Sequence, residues 1–168
     1  FMKGLTNAFV QASGAVIDDG GFAITIAQPL LEDPASAGGR LTKIGSGTLT
    51  LSGASTYTGG TVVSNGTLAL GTNERLADAG ALTVGGDVST AVLNLGTFTE
   101  TVAAVILANG AIQNGTLTGT SYAVTNGTIS TVLAGPGVPL IQDGPGTVTM
   151  TGSNTYSGAT TVTAGKLA

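Results

Sequence analysis

The side chains of this 168-residue chain that could carry out catalysis are its carboxylates. Carboxylates that cluster beside a groove act as general acid and base in enzymes that cleave polysaccharides. The adjacent acidic pairs of this chain lie beside turn residues, and neighbours on a strand point to opposite faces. We interpret these pairs as solvated turn residues and predict no catalytic residue among the nine acids, Asp18, Asp19, Glu32, Asp33, Glu74, Asp78, Asp87, Glu100 and Asp143.

Metal, thiol and nucleic-acid chemistry have little support in the composition. The chain has no histidine and no cysteine, which removes disulfides and thiolate metal ligands. The acidic run at residues 18–21 lacks the alternating spacing of a calcium loop, so we predict neither a metal site nor a cofactor. Nucleic acid is an unsuitable partner because the net charge is −4 and the few basic residues are scattered, namely Lys3, Arg40, Lys43, Arg75 and Lys166.

Two tyrosines could bind a sugar. Tyr57 and Tyr156 each follow a threonine at matching positions of an internal repeat. An exposed tyrosine ring can stack on a sugar, whereas a corner tyrosine covers apolar residues and directs its hydroxyl to backbone or solvent. We favour the corner role because both tyrosines belong to the repeat.

The internal repeat organises the whole chain. Residues 45–69 align without a gap with the similar residues 144–168, at an offset of 99 residues (144 − 45). Long-range repetition of this kind is typical of stacked structural units. The positions to which we assign a structural role are Gly45, Gly47, Leu49, Leu51, Gly53, Tyr57, Gly59, Gly66 and Leu68 in the first copy, and Gly144, Gly146, Val148, Met150, Gly152, Tyr156, Gly158, Gly165 and Leu167 in the second.

A finer period lies inside the repeat. Gly47 to Gly66 and Gly146 to Gly165 are both steps of 19 residues, which is close to one coil of a solenoid. Within a coil, Leu49 and Leu51 alternate with threonines and are predicted to point inward. The low charged fraction of 8% and the mean hydropathy of +0.41 favour strands. We predict an all-β solenoid of about eight coils, each of roughly 19–22 residues.

Two segments depart from the strand pattern. Residues 28–39 contain two prolines and two acids, and we predict a protruding loop there because proline cannot donate into a ladder. Residues 73–80 could form a short helical turn that begins at Asn73 and ends at Gly80. The longest apolar run, residues 102–108, is too short for a transmembrane helix. We expect the chain to be a single solenoid segment of a longer protein.

The repeat resembles a known family. Residues 41–53, 56–61 and 65–68 are similar to the passenger-associated repeat of bacterial autotransporters, and residues 14–18 and 21–26 resemble the strands that often precede it. The resemblance implies a right-handed, single-stranded parallel β-helix, exported and displayed outside a Gram-negative cell. It brings no catalytic residues. One departure is that Gln142 and Asp143 replace the lysine-containing entry to the repeat.

Three functions remain open at this point. The first is a non-enzymatic stalk, passenger or fibre segment that supports adhesion or display at the cell surface, anchored to the outer membrane through a part not present here. Its partners would be adjoining β-helix modules of the same or neighbouring chains. The second is a segment that itself adheres to surface glycans, host surfaces or its own copies, through residues 28–39 or an outward threonine face. The third is a polysaccharide-degrading enzyme on the same scaffold, which would need a carboxylate cluster.

Overall fold

The chain folds as a β-solenoid, which confirms the predicted fold class. The computed structural model describes residues 2–86 and 90–168, so Asp87 lies outside the described residues. The described residues form strands, turns and bends without a helix, and every strand pair is parallel. No helix among them could span a membrane. Alternating threonine and aliphatic residues produce this result, because β-branched side chains favour extended backbone and each strand buries one of its faces.

Each coil contributes one strand to each of two large sheets. Sheet I consists of eight strands, β2 (Ala15–Asp18), β5 (Leu41–Ile44), β7 (Thr61–Val63), β9 (Leu82–Val84), β12 (Ala104–Leu107), β15 (Ser121–Val124), β18 (Leu140–Gln142) and β20 (Thr160–Val162). Sheet II also has eight, β3 (Ala23–Ile26), β6 (Thr48–Leu51), β8 (Thr67–Leu70), β10 (Val92–Asn94), β13 (Ala111–Gln113), β16 (Gly127–Ile129), β19 (Thr147–Met150) and β21 (Lys166–Leu167).

The third side of the solenoid is less regular. It holds sheet III, formed by β11 (Thr99–Thr101), β14 (Thr116–Thr118) and β17 (Val132–Ala134), and a separate pair of β1 (Phe9–Val10) with β4 (Leu31–Glu32). Its connections set the coil length, which is 17 residues from Val105 to Tyr122 and 26 from Ala15 to Leu41. This spread is wider than the steps of 19 suggested.

The offset of 99 residues corresponds to five coils. Leu41 and Leu140 occupy the same inward row of sheet I, with five strand-to-strand steps between β5 and β18. In sheet II the pairing shifts by two residues, so Thr48 shares its row with Thr149 rather than with Thr147. The shift keeps the same face inward because side chains alternate with a period of two.

Columns of aliphatic side chains form the core. The row that begins at Leu49 continues through sheet II as Leu68, Leu93, Ile112 and Ile129. These five side chains are at most 1% exposed. Each fully buried aliphatic side chain stabilises the fold by roughly 1.5–3 kcal/mol, which allows so few aromatic residues to suffice.

Two glycines at equivalent corners show why the repeat conserves its spacing from copy to copy. Gly66 has φ +63° and Gly165 has φ +69°, values that favour glycine. A Cβ atom on Gly66 would collide with the carbonyl oxygens of Gly45 and Gly47, and one on Gly165 with those of the equivalent Gly144 and Gly146. Stacked corners therefore come this close only where both coils lack side chains.

Residues 28–39 and 73–80, the two segments that depart from the strand pattern, adopt structures that differ from the predicted ones. In segment 28–39, Leu30 is buried and Leu31–Glu32 pairs with β1, so the exposed residues fall within 34–38. The helical turn predicted for residues 73–80 is wrong. Residues 73–80, which we call the strap, run irregularly along the edge of β11, and the side chain of Leu76 within the strap is buried.

Candidate functional site

The acidic pairs singled out from the sequence are engaged in turns. Asp18 is exposed and its Oδ1 accepts a hydrogen bond from the Gly20 amide. Glu32 accepts hydrogen bonds from the amides of Gly38 and Thr58 and from the Thr58 hydroxyl. Hydrogen bonding, first from Gly38 and then from Thr58, holds the pKa of Glu32 below its usual value. These carboxylates organise loops.

A carboxylate cluster that the sequence did not reveal lies on the third side. Glu74, Asp78 and Glu100 have carboxylate oxygens within 4.8 Å of one another. The strap carries Glu74 and Asp78, whereas Glu100 lies on β11 one coil further on. The available signal was the pattern Thr-Glu-Thr at residues 99–101, which places Glu100 in an inward position once the strand is known.

Glu100 fastens the strap to the solenoid. Its side chain is 1% exposed, and its two oxygens accept hydrogen bonds from the Arg75 amide at 2.8 Å and the Leu76 amide at 3.1 Å. Burial raises the pKa of Glu100 to about 8. The two amides lower it in part, and the nearby Glu74 and Asp78 carboxylates raise it further. Glu100 is therefore mostly protonated at neutral pH.

Other residues of the strap also form hydrogen bonds with β11. The Glu74 carboxylate accepts hydrogen bonds from the Thr101 amide and hydroxyl. Asn73 accepts one from the Thr99 amide, and the Glu74 amide donates to the Thr99 carbonyl. The free edge of sheet III is thus satisfied by the strap instead of by another strand.

The cluster is not arranged as a general acid and base. A cavity of about 290 Å³ beside it is lined by Ser55, Thr56, Tyr57, Ala77, Asp78 and Ala79. Of the three clustered carboxylates, only Asp78 lines this cavity. An acid–base pair needs both groups within reach of one substrate, and Glu100 is buried with both oxygens bonded to backbone amides.

A buried ion pair locks the corner where the first copy of the repeat begins. Lys43 Nζ lies 2.6 Å from Asp19 Oδ2, and both side chains are excluded from solvent. The prediction that Asp19 is a solvated turn residue is therefore wrong, because the coil that carries Lys43 stacks on it. The ammonium also donates to the carbonyls of Ile44, Gly45 and Asn65. Burial by itself would raise the pKa of Asp19, but hydrogen bonds from Lys43 and from the amides of Gly21 and Gly47 outweigh it and hold the pKa below its usual value.

The second copy builds the same corner without charge. Gln142 occupies the row of Lys43, and its amide donates to the carbonyls of Thr125, Gly144 and Gly146. Lys43 belongs to the strand after Ile17, and Gln142 to the strand after Val124. Asp19 lies two residues after Ile17, and Asn126 lies two residues after Val124, so Asn126 occupies the position equivalent to Asp19. The lysine and its carboxylate partner are replaced together.

The tyrosines of the two copies differ in exposure. Tyr57 is 0% exposed and its hydroxyl lies 2.6 Å from the Thr61 hydroxyl, so its ring offers no face to a sugar. Burial raises the pKa of Tyr57 far above its usual value. Tyr156 is half-buried, lies 5.8 Å from the Tyr122 ring and bonds to Thr160 through its hydroxyl.

The other structural positions of the repeat lie where strands and corners meet. Leu51 and Val148 are buried, whereas Met150 and Leu167 are half-buried near the C-terminal coil. Added Cβ atoms would collide with backbone atoms of the preceding coil at the remaining glycine positions, Gly53, Gly59, Gly152 and Gly158. These positions together form corners and inward rows, and none of them lines the carboxylate cluster.

Comparison with known proteins places these features in context. A family model described as Passenger-associated-transport-repeat matches residues 41–70 and 140–168. The Adhesin BmaC autotransporter of Brucella suis biovar 1 (strain 1330) is 34% identical over 192 residues, an alignment that covers 95% of this chain and 5% of that protein. The chain therefore spans about one twentieth of the length of this relative. No solved structure matches the chain.

Proposed function

This chain carries the passenger-associated repeat of bacterial autotransporters, and we propose that it is a non-enzymatic stalk segment that holds functional regions away from a bacterial surface. The family model matches the first coil of the five-coil unit and the first part of the second, and it matches again at the C-terminal end. The relative that this chain resembles is named an adhesin, which supports a place on the cell surface or in the secreted part of such a protein.

The observation that carries this proposal is the unbroken pairing of both large sheets. Sheet I runs from β2 to β20 and sheet II from β3 to β21 with every neighbouring pair in register. Seven steps of about 4.8 Å give a rod roughly 34 Å long. Because backbone hydrogen bonds join each coil to the next, bending the rod requires many of them to deform at once.

The titratable groups support a structural role. Glu100, Glu74 and Glu32 join neighbouring coils through backbone amides, and Asp19 neutralises a buried lysine. The hydrogen bonds of these side chains are made to other residues of the fold. Such bonds suit a stalk, because they hold its coils together, whereas a catalytic carboxylate must keep an oxygen available to substrate.

A stalk built of five-coil units should lengthen in proportion to their number. Repeating residues 41–139 once more after residue 139 joins Pro139 to Leu41, at the start of a sheet I strand in both contexts. We expect small-angle X-ray scattering to show a maximum dimension increased by about 24 Å, with unchanged cross-section, because five further coils are added.

A matched control repeats residues 41–124, which ends on a sheet I strand and would place two such strands in succession. That insertion should leave an unfolded segment with scattering typical of a flexible chain. The stalk proposal is contradicted if the in-phase insertion also gives a flexible chain, or if it folds without lengthening the particle.

A further inference from the structure

Sheet I presents an outward row of residues without a single charge. The register aligns the same outward position on all eight strands, with the spacing of about 4.8 Å between neighbours that parallel strands require. We call this row the uncharged column. Its members, in order along the solenoid, are Val16, Thr42, Val62, Thr83, Ile106, Ala123, Ile141 and Thr161.

The column is partly open to solvent, and its most exposed members are mainly aliphatic. Val16 is 66% exposed, Ile106 36% and Ile141 42%, and together they account for three of the large exposed hydrophobic side chains of the described residues. Branched aliphatic residues with this exposure, aligned on one flat sheet, are unusual on a monomer and typical of a contact surface.

Among the described residues, charged side chains lie away from the middle of this surface. Three of them are two positions from the column along the chain, in or next to the same strands: Asp18 and Arg40 near one end and Asp143 near the other. The clustered acids, Glu74, Asp78 and Glu100, lie on the third side. Two copies with a net charge of −4 repel each other, and the outward faces of sheets I and II both carry few carboxylates. Sheet I differs from sheet II in that its outward row holds the exposed aliphatic side chains.

The column of one copy is complementary in side-chain size to the column of a second copy that runs in the opposite direction. If a second copy faces the column with its solenoid axis reversed and its strands in the same direction, the first strand meets the eighth. Each branched aliphatic residue then meets a smaller or polar one in the pairs Val16 with Thr161, Ile141 with Thr42, Val62 with Ala123 and Ile106 with Thr83. With parallel axes, by contrast, Ile106 would face Ile106.

We infer that the uncharged column is the contact surface for a second copy of this chain, packed sheet to sheet about a two-fold axis that reverses the solenoid axis. Such a contact is isologous, so each pair above occurs twice. The inference rests on the proposed role as a surface stalk only in that stalks on two facing surfaces would meet with their axes reversed.

The size of the surface sets the strength of the contact. A strip of eight strands, roughly 34 Å by 13 Å, covers about 450 Å² on each copy, or about 900 Å² in total. Specific stable interfaces begin near 1,000 Å², so we expect weak and reversible association, with Kd of about 10 μM to 1 mM. Stalks that project from two facing surfaces meet with their axes reversed, so many copies on each surface would add such contacts.

Sedimentation velocity on the complete 168-residue chain, from about 10 μM to about 1 mM, tests the contact. We expect the wild type to pass from monomer to dimer. Ile106→Asp and Thr83→Lys should each weaken dimerisation about tenfold or more, because each variant places an unpaired charge against the uncharged residue that it faces and desolvates that charge. An equimolar mixture of the two variants should regain association, since in the reversed arrangement the aspartate of one copy faces the lysine of the other.

Val92→Asp is the matched control because it places the same charge on an outward position of sheet II. Val92→Asp should dimerise as strongly as the wild type, and circular dichroism should show all variants folded. A wild type that stays monomeric to about 1 mM overturns the inference, as does equal weakening by Ile106→Asp and Val92→Asp, or a mixture no tighter than its components. A monomeric wild type would leave the stalk proposal intact, because scattering of dilute chains measures their length independently.

Discussion

Replacing Lys43 with glutamine will destabilise the fold by about 3–5 kcal/mol in the free energy of unfolding at neutral pH. The variant leaves the Asp19 carboxylate in a place excluded from solvent, with the amides of Gly21 and Gly47 as its remaining partners. It also removes the ammonium from the carbonyls that it joins across two coils. Equilibrium unfolding in urea measures the loss.

The second copy of the repeat shows how to reverse that loss. Gln142 and Asn126 stand at the equivalent positions without charge, and the Gln142 amide donates to backbone carbonyls there, so Lys43→Gln combined with Asp19→Asn should recover most of the stability. Replacing both partners of a buried ion pair leaves no uncompensated charge, and such replacements are often close to neutral in free energy. The coupling energy between the two substitutions should therefore be at least about 2 kcal/mol.

Lys166→Gln is the matched control, since Lys166 is an exposed lysine on β21 of the second copy. It should change stability by less than about 0.5 kcal/mol. Additive effects of Lys43→Gln and Asp19→Asn would contradict the assigned ion pair, because additivity means that the two side chains do not interact in the folded chain.

The stability of the protein will fall as pH rises from about 4.5 to about 8, through Glu100. The pKa of this carboxyl is about 8 in the fold against an ordinary value of 4.5, so the folded chain holds a proton that the unfolded chain releases. The stabilisation is fully present below the lower value and is lost as pH rises through the upper one. The full span amounts to about 5 kcal/mol, at most about 1.4 kcal/mol for each pH unit.

Urea unfolding at about pH 5, 6.5, 8 and 9 measures this dependence, and the lack of histidine and cysteine leaves the window largely free of other titrations. Glu100→Gln should flatten the dependence, at a cost of about 1–3 kcal/mol at low pH because an amide cannot accept from both backbone amides. Glu32→Gln, at an exposed carboxylate that also joins a segment to the next coil, should keep the slope. A wild type with equal stability at about pH 5 and about pH 9 would contradict the protonated state of Glu100.

Much of the fold could be predicted from the sequence because its determinants are local and repeated. Alternation at Leu49 and Leu51 indicated the inward face, and glycine spacing indicated the coil. The same periodicity explains why the offset of 99 residues corresponds to five coils: each strand must meet its equivalent in the next coil to fill the aliphatic rows.

The contacts that define individual corners could not be predicted, because they join residues from different coils. Lys43 and Asp19 are paired by stacking, and no spacing rule marks them. Glu100 reaches the amides of Arg75 and Leu76 only because the third side of the preceding coil carries a strap instead of a strand. A pattern such as Asn73 to Gly80 fits a helical turn locally, but burial of Leu76 and the edge of β11 decide its conformation.

The most direct test of the account is the distance between two spin labels placed on Thr48 and Thr149, after each is replaced by cysteine in a chain that has none. Both positions face outward in one row of sheet II, five strand steps apart. The account predicts a single narrow distribution with a backbone separation of about 24 Å. A broad distribution, or one centred beyond about 40 Å, would mean that the two copies of the repeat belong to separate units and would contradict a continuous solenoid.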